Sequence, residues 1–229
     1  MFRYALKLYW SCHYFPAMKH SLSEVGVSSM SVAVIKFLIV RSAIVAATLV
    51  VTFAFQVHYL AAFDIDQRIS LFYVPAAVIT LSALTLRYRA AIGIFAGYAA
   101  INFFLHGNDP LGAVLLSMAP PTVTILTIAL ISMVSPRIGN FFKPNSTLVE
   151  VDAFDILLFC AGYGVINASL HNLLFFLDAR FGTPVSALTV IQMMFGDLTG
   201  SFLGFVALNL SYSVLLRVIR SFGLGIRKV

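Results

Sequence analysis

The chain has 229 residues, 60% of them hydrophobic and only 10% charged, with a formal net charge of +6. A soluble domain carries about 25% charged residues, so the length goes into apolar runs and leaves no room for a separate soluble domain of ~100 residues. The basic residues sit at the ends of those runs, where they set membrane topology, and this excludes reading the positive charge as a nucleic-acid surface.

Residues 1–30 form a basic amphipathic segment in which Arg3, Lys7 and Lys19 alternate with Phe2, Leu6, Leu8, Tyr9 and Trp10. The pattern fits an interfacial helix on the inner leaflet, a loosely ordered tail, or an extension upstream of a start at Met18 or Met30. Residues 31–220 read as the transmembrane domain and 221–229 as a basic cytoplasmic tail.

The first predicted span is Ser42–Phe63, preceded by Lys36 and Arg41 as in an uncleaved signal anchor. A polar loop with Asp64, Asp66 and Arg68 follows. The second span is Ile69–Leu86, with Pro75 near its start, and it ends at Arg87 and Arg89. The third is Ala90–Leu105, carrying Gly93 and Gly97. His106-Gly107-Asn108-Asp109-Pro110 is a turn-rich loop. The fourth span, Leu111–Val134, is expected to be broken by Pro120 and Pro121. A polar loop from Ser135 to Asp152 holds Arg137 and Lys143. The fifth span is Ala153–Leu177, with Asp155 as a helix cap beside Asp152.

After a turn at Asp178–Pro184, the run Val185–Leu216 would measure ~48 Å as one helix, too long for a straight span. Two arrangements satisfy it. Either Val185–Met194 is interfacial or re-entrant and the span starts at Phe195, or one long helix tilts.

The basic residues fix orientation. Alternate sides of six spans hold thirteen and two Lys and Arg residues, and the richer side is cytoplasmic. The expectation is an all-α polytopic bundle of about six spans with both termini cytoplasmic, in a bacterial inner membrane.

Gly196, Gly200 and Gly204 recur every four residues and form one row on a helix. Rows of small residues let helices approach closely in lipid. Together with Gly93 and Gly97, they predict close packing, and contact with another membrane protein or a second copy of the chain. Asp197 lies beside the row. A carboxylate at membrane depth is costly and faces a partner, a cavity or water.

Asn102 and His106 are four apart, as are Asn167 and His171, with Asn172 adjacent. With Asp197 they outline either an outward-facing pocket or a set of interhelical hydrogen bonds. His58, His106 and His171 have no paired spacing that suggests haem or metal, so no cofactor or metal is expected. Cys160 falls inside an apolar run far from Cys12, which argues against a disulfide framework. Gly-x-Ser-x-Gly, His-Glu-x-x-His and phosphate-binding glycine loops are missing, and no enzyme is expected. Tyr163 and the phenylalanines read as lipid-facing or packing residues.

Three stretches resemble the MASE-type membrane-associated sensor domains of bacteria. They are Tyr73-Val74-Pro75-Ala76-Ala77-Val78 with its run to Arg87-Tyr88-Arg89, Ile92-Gly93-Ile94-Phe95-Ala96-Gly97, and Phe195-Gly196-Asp197-Leu198-Thr199-Gly200. The resemblance covers roughly 70–200. Members of that family have about eight helices and usually precede a histidine kinase or diguanylate cyclase, whereas six spans are counted here and the sequence stops at Val229. The resemblance implies a sensory or accessory membrane module that binds a ligand or partner in the membrane and acts on a separate protein. A small-solute transport protein, or the substrate-binding subunit of one, is the alternative; internal symmetry would favour it.

Overall fold

A computed structural model describes residues 27–66, 69–70, 72–142, 152–177 and 186–221. Most of the expected basic amphipathic segment and the tail after Ser221 lie outside these residues. The long helices are α1 (Val27–Tyr59), α2 (Val74–Leu86), α3 (Ala90–Leu105), α4 (Pro110–Val134), α6 (Ala153–Leu177) and α7 (Ala187–Ser221). A short helix, α5 (Pro136–Phe142), and a small antiparallel ladder, β1 (Asp64–Asp66) with β2 (Ile69–Ser70), complete it. Among the described residues, five stretches are long and apolar enough to cross a membrane. The chain is an all-α, multi-pass membrane protein.

One of those five stretches, the 32 residues Val74–Leu105, is folded back on itself. A straight helix would hold Tyr73 and Tyr98 about 37 Å apart, yet their hydroxyls meet at 2.7 Å. The reversal is made by Arg87–Arg89, where Arg87 takes φ 58° and ψ −138°. A side chain at such a φ is uncommon and strained. The Arg87 guanidinium lies 5.5 Å from the centre of the Phe141 ring in α5.

The hairpin makes six antiparallel passes. Each follows from the residues that touch: Gly93 and Gly97 of α3 lie on Val45 and Leu49 of α1, Asn102 of α3 meets Ser117 of α4, and Gly162 of α6 meets Ile131 of α4. Asn167 of α6 meets Asp197 of α7, and Gly204 of α7 lies on Ala77 of α2. Consecutive passes therefore run in opposite directions.

Helix α2 is the inner one. It touches every other long helix, and none of its residues is exposed. Its 13 residues span only ~20 Å, less than the ~30 Å hydrocarbon core. Non-helical backbone at Phe72 and Tyr73 precedes the helix. The Tyr73 amide donates to the Gly196 carbonyl at 3.1 Å. Outer helices such as α1 carry their apolar side chains outward, with Ile39, Val51 and Ile44 all at least 60% exposed, as lipid contact requires.

Several boundaries differ from expectation. Helix α1 starts at Val27 and ends at Tyr59 rather than running Ser42–Phe63, so Lys36 and Arg41 lie within it. The Arg41 guanidinium sits 3.6 Å over the Phe37 ring, which shields the charge with an aromatic face. The second helix begins at Val74, because Ile69–Ser70 pairs with β1 instead.

Pro120 and Pro121 do not break α4. The prolines remove the amide donors of the Leu116 and Ser117 carbonyls, and on either side Ser117 Oγ donates to the Ala113 carbonyl and Thr124 Oγ1 to the Pro120 carbonyl. The loop expected over Ser135–Asp152 contains α5, whose Ile138, Phe141 and Phe142 are buried. Of the two arrangements weighed for Val185–Leu216, the structure has the single long helix. Thr199 Oγ1 donates to the carbonyls of Phe195 and Gly196, the turn where a break was expected.

The glycine rows are used internally. A Cβ on Gly200 would run into the Tyr73 carbonyl and one on Gly204 into the Ala77 Cβ. A Cβ on Gly93 would come 2.8 Å from the Val45 Cβ, and one on Gly97 3.0 Å from the Leu49 Cβ. The expectation that these rows receive another protein is therefore corrected: helices of the same chain occupy them.

Candidate functional site

The α6–α7 seam is close because Gly164 has no side chain. A Cβ there would stand 3.1 Å from the Met194 carbonyl. One turn along α6, Asn167 points into the same seam, and the turn Gly196-Asp197 of α7 supplies a carboxyl opposite it. Asn167 Nδ2 donates to Asp197 Oδ2 at 2.8 Å. Both residues are buried, with 5% and 3% of their surface exposed. Asp197 lies ten residues into α7, ~15 Å from its start.

The site has an imbalance of donors and acceptors. Asn167 Oδ1 is buried and has no hydrogen-bond partner. It belongs to the same planar amide whose Nδ2 binds Asp197, so this unpaired acceptor stands beside the carboxyl. Asn172 Oδ1, further along the seam, is also buried without a partner, while its Nδ2 donates to the Ala168 carbonyl and to Met193 Sδ. Among the described residues no lysine or arginine pairs with Asp197. Orphaned acceptors of this kind are rare in native interiors.

A second layer comes from tyrosines. Tyr73, Tyr98 and Tyr163 lie within electrostatic range of the Asp197 carboxyl. The Tyr73–Tyr98 hydroxyl pair joins α2 to α3, and one of its two hydroxyls keeps a proton free to donate. Tyr163, only 1% exposed, is an interior residue and not a lipid-facing one.

The other residues of the anticipated outward pocket do not all converge here. Asn102 is buried, but its Nδ2 donates to Ser117 Oγ at 3.1 Å on the α3–α4 seam. His106 ends α3 and is exposed. His171 is half-buried, with Nδ1 3.0 Å from the Asn167 carbonyl and its ring against Phe175. Asn167, His171, Asn172 and Asp197 thus share one seam, and Asn102 and His106 lie elsewhere.

A further polar cluster carried a fainter sequence signal. Gln56, 4% exposed, donates to Ser70 Oγ at 2.8 Å and to Asp64 Oδ1 at 3.3 Å, and accepts from the Val74 amide at 3.2 Å. It ties the ladder and the start of α2 to the end of α1. A lone amide in an otherwise apolar run was the available clue.

At the opposite end, Asp152 and Asp155 cap α6 reciprocally, each carboxylate accepting the other's backbone amide. Arg137 of α5 pairs with both, at 3.0 and 3.4 Å. The bond from the Asp155 amide, then the nearby Arg137, hold the Asp152 carboxyl below its ordinary pKa.

Among the described residues no three His, Cys, Asp or Glu side chains gather as metal ligands. Compared with protein-family models, curated proteins and solved structures, the chain matches none.

Proposed function

We propose that this chain is a sensory or accessory module of the bacterial inner membrane, which binds a ligand or partner inside the bilayer and acts on a separate protein. One observation carries the reading: a buried carboxyl deep within a helix, Asp197, held by one amide on a close helix seam. A buried ionisable group within a membrane span is expensive to keep, and a bundle needing only packing would place an apolar residue there.

The seam also adjoins the inner helix. Tyr73, at the head of α2, meets Gly196 and Gly200 through its backbone and Tyr98 through its hydroxyl. A change at Asp197 therefore bears on the element that every other long helix touches. The resemblance of Tyr73–Val78, Ile92–Gly97 and Phe195–Gly200 to MASE-type sensor domains points the same way.

The test is copurification from native membranes carrying the wild-type chain or Asp197→Asn, with quantitative mass spectrometry. The reading expects one membrane protein to copurify in an amount that depends on Asp197. A chain that purifies alone and carries a solute into proteoliposomes would give the function to the transport alternative.

A further inference from the structure

We propose that the Asn167–Asp197 pair binds a small monovalent cation of the size of sodium, with the Asp197 carboxylate and Asn167 Oδ1 as ligands. The inference rests on the reading of Asp197 as a ligand site and names the ligand's class.

A carboxylate taken out of water needs a compensating positive group, and among the described residues no basic side chain supplies one. The Asn167 amide gives Asp197 one hydrogen bond and leaves its own oxygen unpaired. The carboxylate thus has no cationic partner among the described residues, and the amide that holds it carries an oxygen with no donor. A single carboxylate with neutral oxygens suits a monovalent ion, whereas calcium draws on six to eight oxygens and magnesium demands near-ideal octahedral geometry.

Size is limited by the seam. At Gly164 even a methyl group would press on the Met194 carbonyl, so the partner is closer to one atom than to an organic cation. A neutral water would satisfy Asn167 Oδ1 but would leave the carboxylate charge uncompensated.

The experiment uses the full chain in lipid nanodiscs, purified in choline chloride. Sodium chloride replaces choline chloride at constant ionic strength and pH, and the thermal unfolding midpoint is followed, since a ligand of the folded state raises it by mass action. Wild type should show a saturable rise with sodium. Asn167→Ala, which keeps the carboxyl, should need about tenfold more sodium for the same rise, the equivalent of one modest ligand. Asp197→Asn should lose the response, and Asn102→Ala should keep it.

A wild-type midpoint indifferent to sodium would overturn the proposal, as would equal responses in wild type and Asn167→Ala. A midpoint that follows pH and ignores sodium would mean that the carboxyl simply carries its own proton. Sodium indifference together with Asp197-dependent copurification would remove the cation and leave the module reading intact. A sodium response without a copurifying partner would do the reverse.

Discussion

The backbone amide of Tyr73 donates to the carbonyl of Gly196 at 3.1 Å. This one bond attaches the head of the inner helix α2 to α7, and it forms only because Gly200, one turn further on, has no side chain to push the Tyr73 carbonyl away. The two backbones are in contact where most helix pairs are separated by side chains.

Gly200→Leu should therefore separate α7 from α2 and cost at least the ~1–3 kcal/mol of an overpacked core. Leu203→Ala removes a side chain that is 47% exposed toward lipid and should change stability little. Unfolding of both variants in the same detergent or nanodisc measures the contrast. Equal losses would mean that the close approach at Gly200 contributes nothing.

Asn167 and Asp197 should be energetically coupled. A double-mutant cycle with Asn167→Ala and Asp197→Ala is expected to give about 1–2 kcal/mol, above the ~0.6 average for interhelical hydrogen bonds in membranes, because both groups are buried and the acceptor is a carboxyl. The same cycle between Asn102→Ala and Asp197→Ala should be additive within ~0.5 kcal/mol, since Asn102 binds Ser117. Coupling in the second cycle would restore the single pocket that the structure divides.

Acid should weaken the junction of α5 with α6. The Asp152 pKa is lowered in the folded chain by the Asp155 amide and Arg137. Its stabilising contribution is then complete above the unfolded value of about 3.9 and disappears as pH falls through the folded value. The stability difference between wild type and Asp152→Asn should accordingly be constant from pH 7 to about pH 5 and shrink below about pH 4. A difference that grows on acidification would contradict the assignment.

Orientation can be read by labelling. In a Cys160→Ser, Cys12→Ser background, Asp109→Cys should react with an impermeant maleimide in intact cells and Asn145→Cys only after permeabilisation. The reverse pattern would invert the thirteen-to-two charge argument.

Much of the architecture is legible in the sequence. Ala90–Leu105 and Ala153–Leu177 are helices with the anticipated ends, because arginines and turn residues mark them sharply. Two things were hidden. Helix α2 is as apolar as the outer helices, so neither its composition nor its periodicity tells that it is enclosed on all sides. Helix α5 is only seven residues long, too short for a periodic signal to rise above its flanking polar residues.

At the site, Asp197 and Asn167 each stood out as polar groups within apolar runs. Their pairing did not, because it depends on the relative height of two helices separated by thirty positions of sequence. Tyr73 and Tyr98 were masked for a different reason: a tyrosine in an apolar run looks the same whether its hydroxyl meets lipid headgroups or another hydroxyl. Asn102, which bonds to Ser117, and His106, exposed at the end of α3, were grouped with residues that they do not meet.

The enclosure of α2 has a consequence for how the protein is made. Its most extensive partner is α7, which starts at Ala187, about a hundred residues after α2 ends at Leu86. At roughly 5–20 residues per second of synthesis, the inner helix waits some 5–20 s in the membrane before its main wall arrives. During that time Thr80 and Ser82, both buried in the finished bundle, have only partial cover. Any ribosome that stops before Ala187 releases a chain whose centre is open to lipid along one side, and such a chain carries its own mark of incompleteness for the membrane's quality-control proteases.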